Sequence, residues 1–290
     1  MKTALFVIFG IFTAGFLIFW TLAERGRKHG WPRPIDSAIG IVTQFLDTLG
    51  IGSFATTTAA YRLAGLVPDE DIPGTLNVGH TLPVITQAII FIAAVKVDPV
   101  TLIAMIISAT LGARVGAGIV TRLPRRTIQF AMGAALLIAA AVILGRSLHL
   151  LPGGGDLLGL TGATLAVAVT VNFLLGSLNM VGIGLYAPCL TLVSLLGMNP
   201  VAAFPIMMGS CAFLMPIGSL PFVRARKYDR RAAIGLALGG IPAVLIAAFF
   251  IKSLPLTILN WLVFVVVLYT SATLLWSAWR TPAAAATAVT

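Results

Sequence analysis

The sequence predicts an all-α polytopic membrane protein: two inverted repeats, each a broken or re-entrant helical hairpin followed by three transmembrane helices, with one extra helix at the N-terminus. Three observations predict it. The 290 residues are 59% hydrophobic and 10% charged, with a mean hydropathy of +1.03, whereas soluble domains are about half apolar and roughly a quarter charged. Apolar segments long enough to cross a bilayer follow one another along most of the chain. The chain also repeats itself. Shifted by 132 positions, Leu46, Gly50, Ile51, Gly52, Ala55, Leu63, Gly65, Pro68 and Pro73 each meet an identical residue, nine of the 28 positions from 46 to 73. Asp47 meets Asn179 and Phe54 meets Tyr186.

The first unit, 1–34, is a transmembrane helix over 4–22 and a basic loop. It resembles a signal peptide, but its apolar run is nearly of spanning length and no small-x-small cleavage site precedes Arg25, so an uncleaved helix is expected. Repeat 1, 35–148, holds a hairpin at 36–66 and helices at 75–95, 100–121 and 127–147. After a linker at 149–157, repeat 2 (158–279) holds a hairpin at 158–197 and helices at 204–222, 232–251 and 256–278. The Ala-rich tail 280–290 is expected to be disordered.

Charge sets the orientation. The net charge is +10 at pH 7, but the basic residues lie in short runs between apolar segments, as in cytoplasmic loops, so no nucleic-acid partner is expected. With the runs Arg25–Arg33, Arg122–Arg126 and Arg224–Arg231 and Arg280 inside, stretch 158–197 starts and finishes outside and stretch 36–66 starts and finishes inside. Both are therefore hairpins, entering from opposite faces, and the repeats are inverted. At a shift of 131, Asp98 meets Asp229 and Leu123-Pro124 meets Leu254-Pro255, in loops assigned to opposite sides. This places the acidic run Asp69–Asp71 on the basic side.

Each hairpin is interrupted by a Gly-x-Gly preceded by Asp or Asn. Broken backbone at membrane depth is tolerated only where it is buried in protein or lines a wet cavity. In transporters with inverted repeats such breaks form the substrate site, with half-helix N-termini facing anionic groups. Gly50 and Gly52 feed Ser53, Thr56 and Thr57, whose hydroxyls can donate without adding fixed charge. In the second copy Gly182 and Gly184 feed Tyr186, Pro188 and Cys189, with the proline in a first turn that accepts it. The competing reading, glycines for close helix packing, expects small residues four apart on an unbroken helix. The N-terminal turn of the helix after each hairpin adds a second polar cluster, with Asn77 and His80 in one copy and Ser210 and Cys211 in the other.

Three ionisable residues leave alternatives open. Asp47 is the one carboxylate well inside an apolar stretch, where insertion costs about 2.5–3.5 kcal/mol. It either caps the following turn or carries a proton or counter-ion. His80 carries a coupling proton or makes an interhelical hydrogen bond. Arg114, inside 100–121, snorkels, pairs with Asp47, or attracts an anion. The cysteines Cys189 and Cys211 have neither metal-ligand spacing nor a disulfide framework and are expected to pack. No metal or cofactor is expected.

The doubled, glycine-rich break followed by a Gly-Thr or Gly-Ser cluster resembles the sulfite exporter TauE/SafE family, also called the 4-toluene sulfonate uptake permeases, over about 36–278. Many relatives carry three or more glycines and a following proline; here the first copy reads Gly50-Ile51-Gly52-Ser53, with Thr56 where the second has Pro188. The resemblance implies transport of sulfite, thiosulfate or a sulfonate such as sulfoacetate across the bacterial inner membrane, by rocking of one repeat against the other. An anion channel is the nearest alternative. An intramembrane enzyme is the next: Gly153-Gly154-Gly155-Asp156 matches an aspartyl-protease motif but lies in a loop, and no His-Glu-x-x-His occurs. The expected partners are a small anion and the lipid bilayer, with a homodimer left open.

Overall fold

The computed structural model describes residues 2–26, 30–150, 155–182, 184–250 and 256–280. The expected tail at 281–290, the Gly153-Gly154 pair, Ile183 and the loop at 252–255 lie outside the described residues. The described chain is eleven helices: α1 Lys2–Ala23, α2 Pro34–Thr48, α3 Ser53–Ala64, α4 Ile72–Ala94, α5 Pro99–Val120, α6 Arg125–Ser147, α7 Gly162–Asn179, α8 Tyr186–Leu195, α9 Pro200–Ala225, α10 Arg230–Phe250 and α11 Leu256–Arg280. There is no strand among the described residues beyond an isolated bridge between Leu157 and Met198.

Six of these, α4, α5, α6, α7, α9 and α10, are long and apolar enough to cross a bilayer. Helix α5 shows why the chain is polytopic. One face is buried through Met105, Ala109, Ala113 and Ala117, yet Ile103, Ile107, Leu111, Val115 and Ile119 stand exposed at four-residue spacing on the other. A helix apolar all round belongs among lipid tails.

The helix starts are written in the sequence. Pro99 and Pro200 occupy first-turn positions, and the side chains of Asp98 and Asn199 accept from the backbone of Thr101 and Val201. Two helix starts differ from expectation. Helix α4 starts at Ile72 and α9 at Pro200 instead of 75 and 204, because Pro73 sits in the first turn and α9 runs on through Pro205. Asn77, His80, Ser210 and Cys211 therefore lie well inside their helices and offer side chains to the interior, not terminal amides.

The elements that touch follow the internal repeat. Under the shift α2 corresponds to α7, α3 to α8, α4 to α9, α5 to α10 and α6 to α11. Helix α2 packs on α10, and α7 packs on α5; α4 packs on α10, and α9 on α5; α4 meets α9, and α6 meets α11. Two of these seams are unusually close. A Cβ on Gly112 of α5 would lie 1.9 Å from the Phe173 carbonyl oxygen of α7, and one on Gly239 of α10 would lie 2.0 Å from that of Ser37 on α2. Gly112/Gly116 and Gly235/Gly239 are the small residues four apart that the packing reading describes, on unbroken helices away from the Gly-x-Gly breaks.

Helix α1 lies on α9 and α4. Phe9 stacks on Phe213 with ring centroids 4.7 Å apart, and Trp20 Nε1 donates to the Tyr228 hydroxyl, which in turn donates to Glu24. The acidic run finds its partners among the basic residues: Asp69 pairs with Arg62 at 2.9 Å and Arg125 at 3.6 Å, and Glu70 pairs with Arg125. Arg33 bridges Asp36 at 2.8 Å and Asp229 at 3.4 Å.

Candidate functional site

Both hairpins break where the glycine pairs fall. Helix α2 ends at Thr48, and Gly50 (φ +86°) and Gly52 (φ +96°) carry the chain through left-handed backbone into α3. Helix α7 ends at Asn179, and Gly182 (φ +105°) and Gly184 (φ +73°) lead into α8. Side chains rarely adopt this conformation, which explains the glycines. At 1.5 Å per residue α2, α3 and α8 are roughly 22, 18 and 15 Å long, short of the ~30 Å hydrocarbon core, so chain ends fall at membrane depth.

The two breaks meet. A Cβ on Gly184 would lie 3.2 Å from Phe54 Cβ, so the second break rests on the first turn of α3. Between them is a cavity of about 30 Å³, walled by Gly52, Ser53, Phe54 and Ala55 from the first copy and Gly184, Leu185, Tyr186 and Pro188 from the second. Asp47, Asn179 and Cys211 complete its polar lining, and no Lys or Arg is among the described residues that line it. At roughly 10–15 Å³ per water by this measure, the space holds about two waters.

Asp47 caps the break. Its Oδ1 accepts from the Ser53 N–H at 2.5 Å, so the first amide of α3 is already bonded. The amides of Phe54 and Ala55 remain in that first turn, where a helix leaves its N–H groups without internal partners. In α8 the Tyr186 and Ala187 amides hold the same positions, and Pro188 has none.

The threonines point elsewhere than expected. Thr56 Oγ1 donates back to the carbonyls of Ser53 and Gly52, and Thr57 Oγ1 lies 2.9 Å from His80 Nε2. His80 is buried with both ring nitrogens engaged, Nδ1 being 2.6 Å from Gln44 Nε2. It makes interhelical hydrogen bonds and does not line the cavity. Asn77 donates to the Pro73 carbonyl at 2.8 Å and accepts from Asn179 Nδ2 at 3.4 Å, joining the two copies. Ser210 accepts from Asn172 at 3.4 Å, outside the cavity lining. Cys189 is buried beside Cys211, and neither forms a disulfide. Gly50 packs against Phe204. Arg114 is exposed beside Leu111 and Val115 on the outer face of α5 and forms no ion pair with Asp47; of its three readings only snorkelling suits that position.

Sequence reasoning missed the residues that tie these parts together. Gln87 Nε2 donates to Gln44 Oε1 at 3.1 Å and Thr48 Oγ1 at 2.9 Å, and Tyr186 donates to Gln87 Oε1 at 2.7 Å. Thr57, His80, Gln44, Gln87 and Tyr186 thus form one buried chain of hydrogen bonds from α3 through α4 and α2 to α8. Gln87 lies seven residues after His80, on the same face of α4, and Gln44 lies three before Asp47 on α2. That spacing was the available signal.

These features define a multi-pass α-helical membrane protein whose buried polar cavity lies where two helix breaks meet. Residues 1–143, which run from α1 into α6, match the family model described as Sulfite exporter TauE/SafE. The match takes in α1, which the resemblance in the sequence left out, and ends before the second break. No curated protein and no solved structure matches the chain.

Proposed function

We propose that the chain is a secondary carrier of a sulfur-containing anion, sulfite, thiosulfate or a sulfonate such as sulfoacetate, in the bacterial inner membrane. The observation that carries this reading is the contact of the two breaks, from halves 132 positions apart, around one cavity that they line together. A negative solute there would be held by helix-terminal amides, with Ser53 and Tyr186 beside them. The family description supports the sulfur oxyanion.

A cavity of about 30 Å³ is too small for a polyatomic oxyanion, so the proposed cycle opens it from one side and then the other. Rocking of whole repeats is not favoured, because it would part the closely packed α2–α10 and α5–α7 seams. Movement of the α2/α10 and α5/α7 pairs as units, in inverted orientation, keeps both seams closed.

The test is a thermal-shift screen of the purified protein against sulfite, sulfate, thiosulfate, taurine and sulfoacetate. A ligand at 100 times its Kd should stabilise by about 2.7 kcal/mol. Ser53→Ala should weaken the best ligand roughly tenfold, the equivalent of one hydrogen bond. No shift with any of these anions would count against the reading.

A further inference from the structure

Two acceptors of the cavity-lining residues have no donor. Asp47 is 2% exposed, and while its Oδ1 takes the Ser53 amide, its Oδ2 makes no hydrogen bond. Asn179 is 1% exposed; its Nδ2 goes to Asn77, and its Oδ1 is likewise unpartnered. The two residues are equivalent under the internal repeat and line the same cavity.

Polar neighbours surround Oδ2, but none donates to it. Gln87 from α4, the Ser53 hydroxyl from α3 and Tyr186 from α8 all stand by the Asp47 carboxylate, but Gln87 spends its amide on Gln44 and Thr48, Tyr186 donates to Gln87, and none of the three bonds Oδ2. Cys211 of α9 faces it as a buried thiol, with Cys189 of α8 behind. His80 of α4 has both ring nitrogens engaged. Helix α6 contributes Ile138 and Ile143 to the cavity. The charged residues of α10, Arg230 and Arg231, sit at its first turn, near the opposite end of α2. Among the described residues no Lys or Arg pairs with Asp47.

An ionised Asp47 would therefore be an unpaired buried charge beside a negative solute, and both desolvation and repulsion oppose that. We propose that Asp47 Oδ2 is the site of a coupling proton that enters and leaves with the anion, an inference that rests on the anion-carrier reading of the cavity. The carboxylate takes up one proton as the anion binds. The new O–H is a donor facing into the cavity, where an anion oxygen or Asn179 Oδ1 accepts it. When the anion departs, the proton is released to the same side. The second copy has an amide at this position, so the stoichiometry is one proton per anion.

The experiment measures binding of thiosulfate and sulfoacetate, which keep their charge between about pH 5.5 and 8.5, to the purified full-length protein. In the wild type the affinity should fall by up to tenfold per pH unit on the alkaline side, the limit for one linked proton. Calorimetry in two buffers of different ionisation enthalpy should count one proton taken up per anion. Asp47→Asn, the residue the second copy carries, should bind at least as tightly as wild type at low pH, with no pH slope and no proton uptake. Zero proton uptake by the wild type overturns the proposal without recourse to any variant. So does an Asp47→Asn protein that keeps the wild-type slope, or an affinity set by replacing choline with sodium at fixed pH; in these cases the anion site stands. Failure of both anions to bind the wild type at every pH sinks the carrier reading and this proposal together.

Discussion

The hydrogen bond from Tyr186 to Gln87 links the second break to repeat 1 at 2.7 Å, and its strength can be isolated. Tyr186→Phe removes that one bond and leaves Gln87 Oε1 without its donor. Gln87→Met removes it too, along with the bonds to Gln44 and Thr48. Interhelical hydrogen bonds in membrane proteins average about 0.6 kcal/mol and reach about 1.7 kcal/mol. Tyr186→Phe should thus cost about 0.6–1.7 kcal/mol, and Gln87→Met, which loses three bonds, about 2 kcal/mol. The double variant should cost less than the two single costs together, by about 0.6 kcal/mol or more, because the shared bond is lost only once. Denaturant unfolding of all four proteins in one detergent supplies the cycle. Additive costs, with no coupling, would show that the two side chains do not bond and that the chain from Thr57 to Tyr186 is not continuous.

The remaining predictions concern packing and access. Gly112→Ala and Gly239→Ala should each destabilise by about 1–3 kcal/mol, as overpacking does, because the new methyl would meet a carbonyl oxygen at 1.9 or 2.0 Å. Gly118→Ala on the same α5, with nothing within 4 Å, should leave the melting temperature at or above that of the wild type. In a Cys189→Ala background, maleimide labelling of Cys211, which lines the cavity, should slow when a binding anion is present. Equal labelling with and without it would place the anion elsewhere.

The parts of this fold legible in the sequence were those encoded locally. Gly50, Gly52, Gly182 and Gly184 marked the breaks because only glycine takes their backbone angles cheaply. Hydropathy placed the long helices because a bilayer demands length. What stayed hidden depends on tertiary partners. Gln44 and Gln87 are neutral, and nothing in their local sequence marks them, yet their amides supply the donors and acceptors that hold four helices together. Thr56 and Thr57 were read as facing a solute, but a helix offers a threonine its own carbonyls first, and His80 was within reach of the other. Arg114 could be assigned only once the outward stripe of α5 was known.

The exchange of partners across the two halves has a consequence for assembly. Each half's opening helix finds its tightest neighbour in the fourth helix of the other half, so a chain cut at the linker would yield two fragments that each leave a glycine groove bare. Such fragments would be expected to clasp one another when expressed together, and to fail singly. A one-copy ancestor with this packing would have met the same need by pairing with itself, two chains lending each other the helix that one gene now supplies twice.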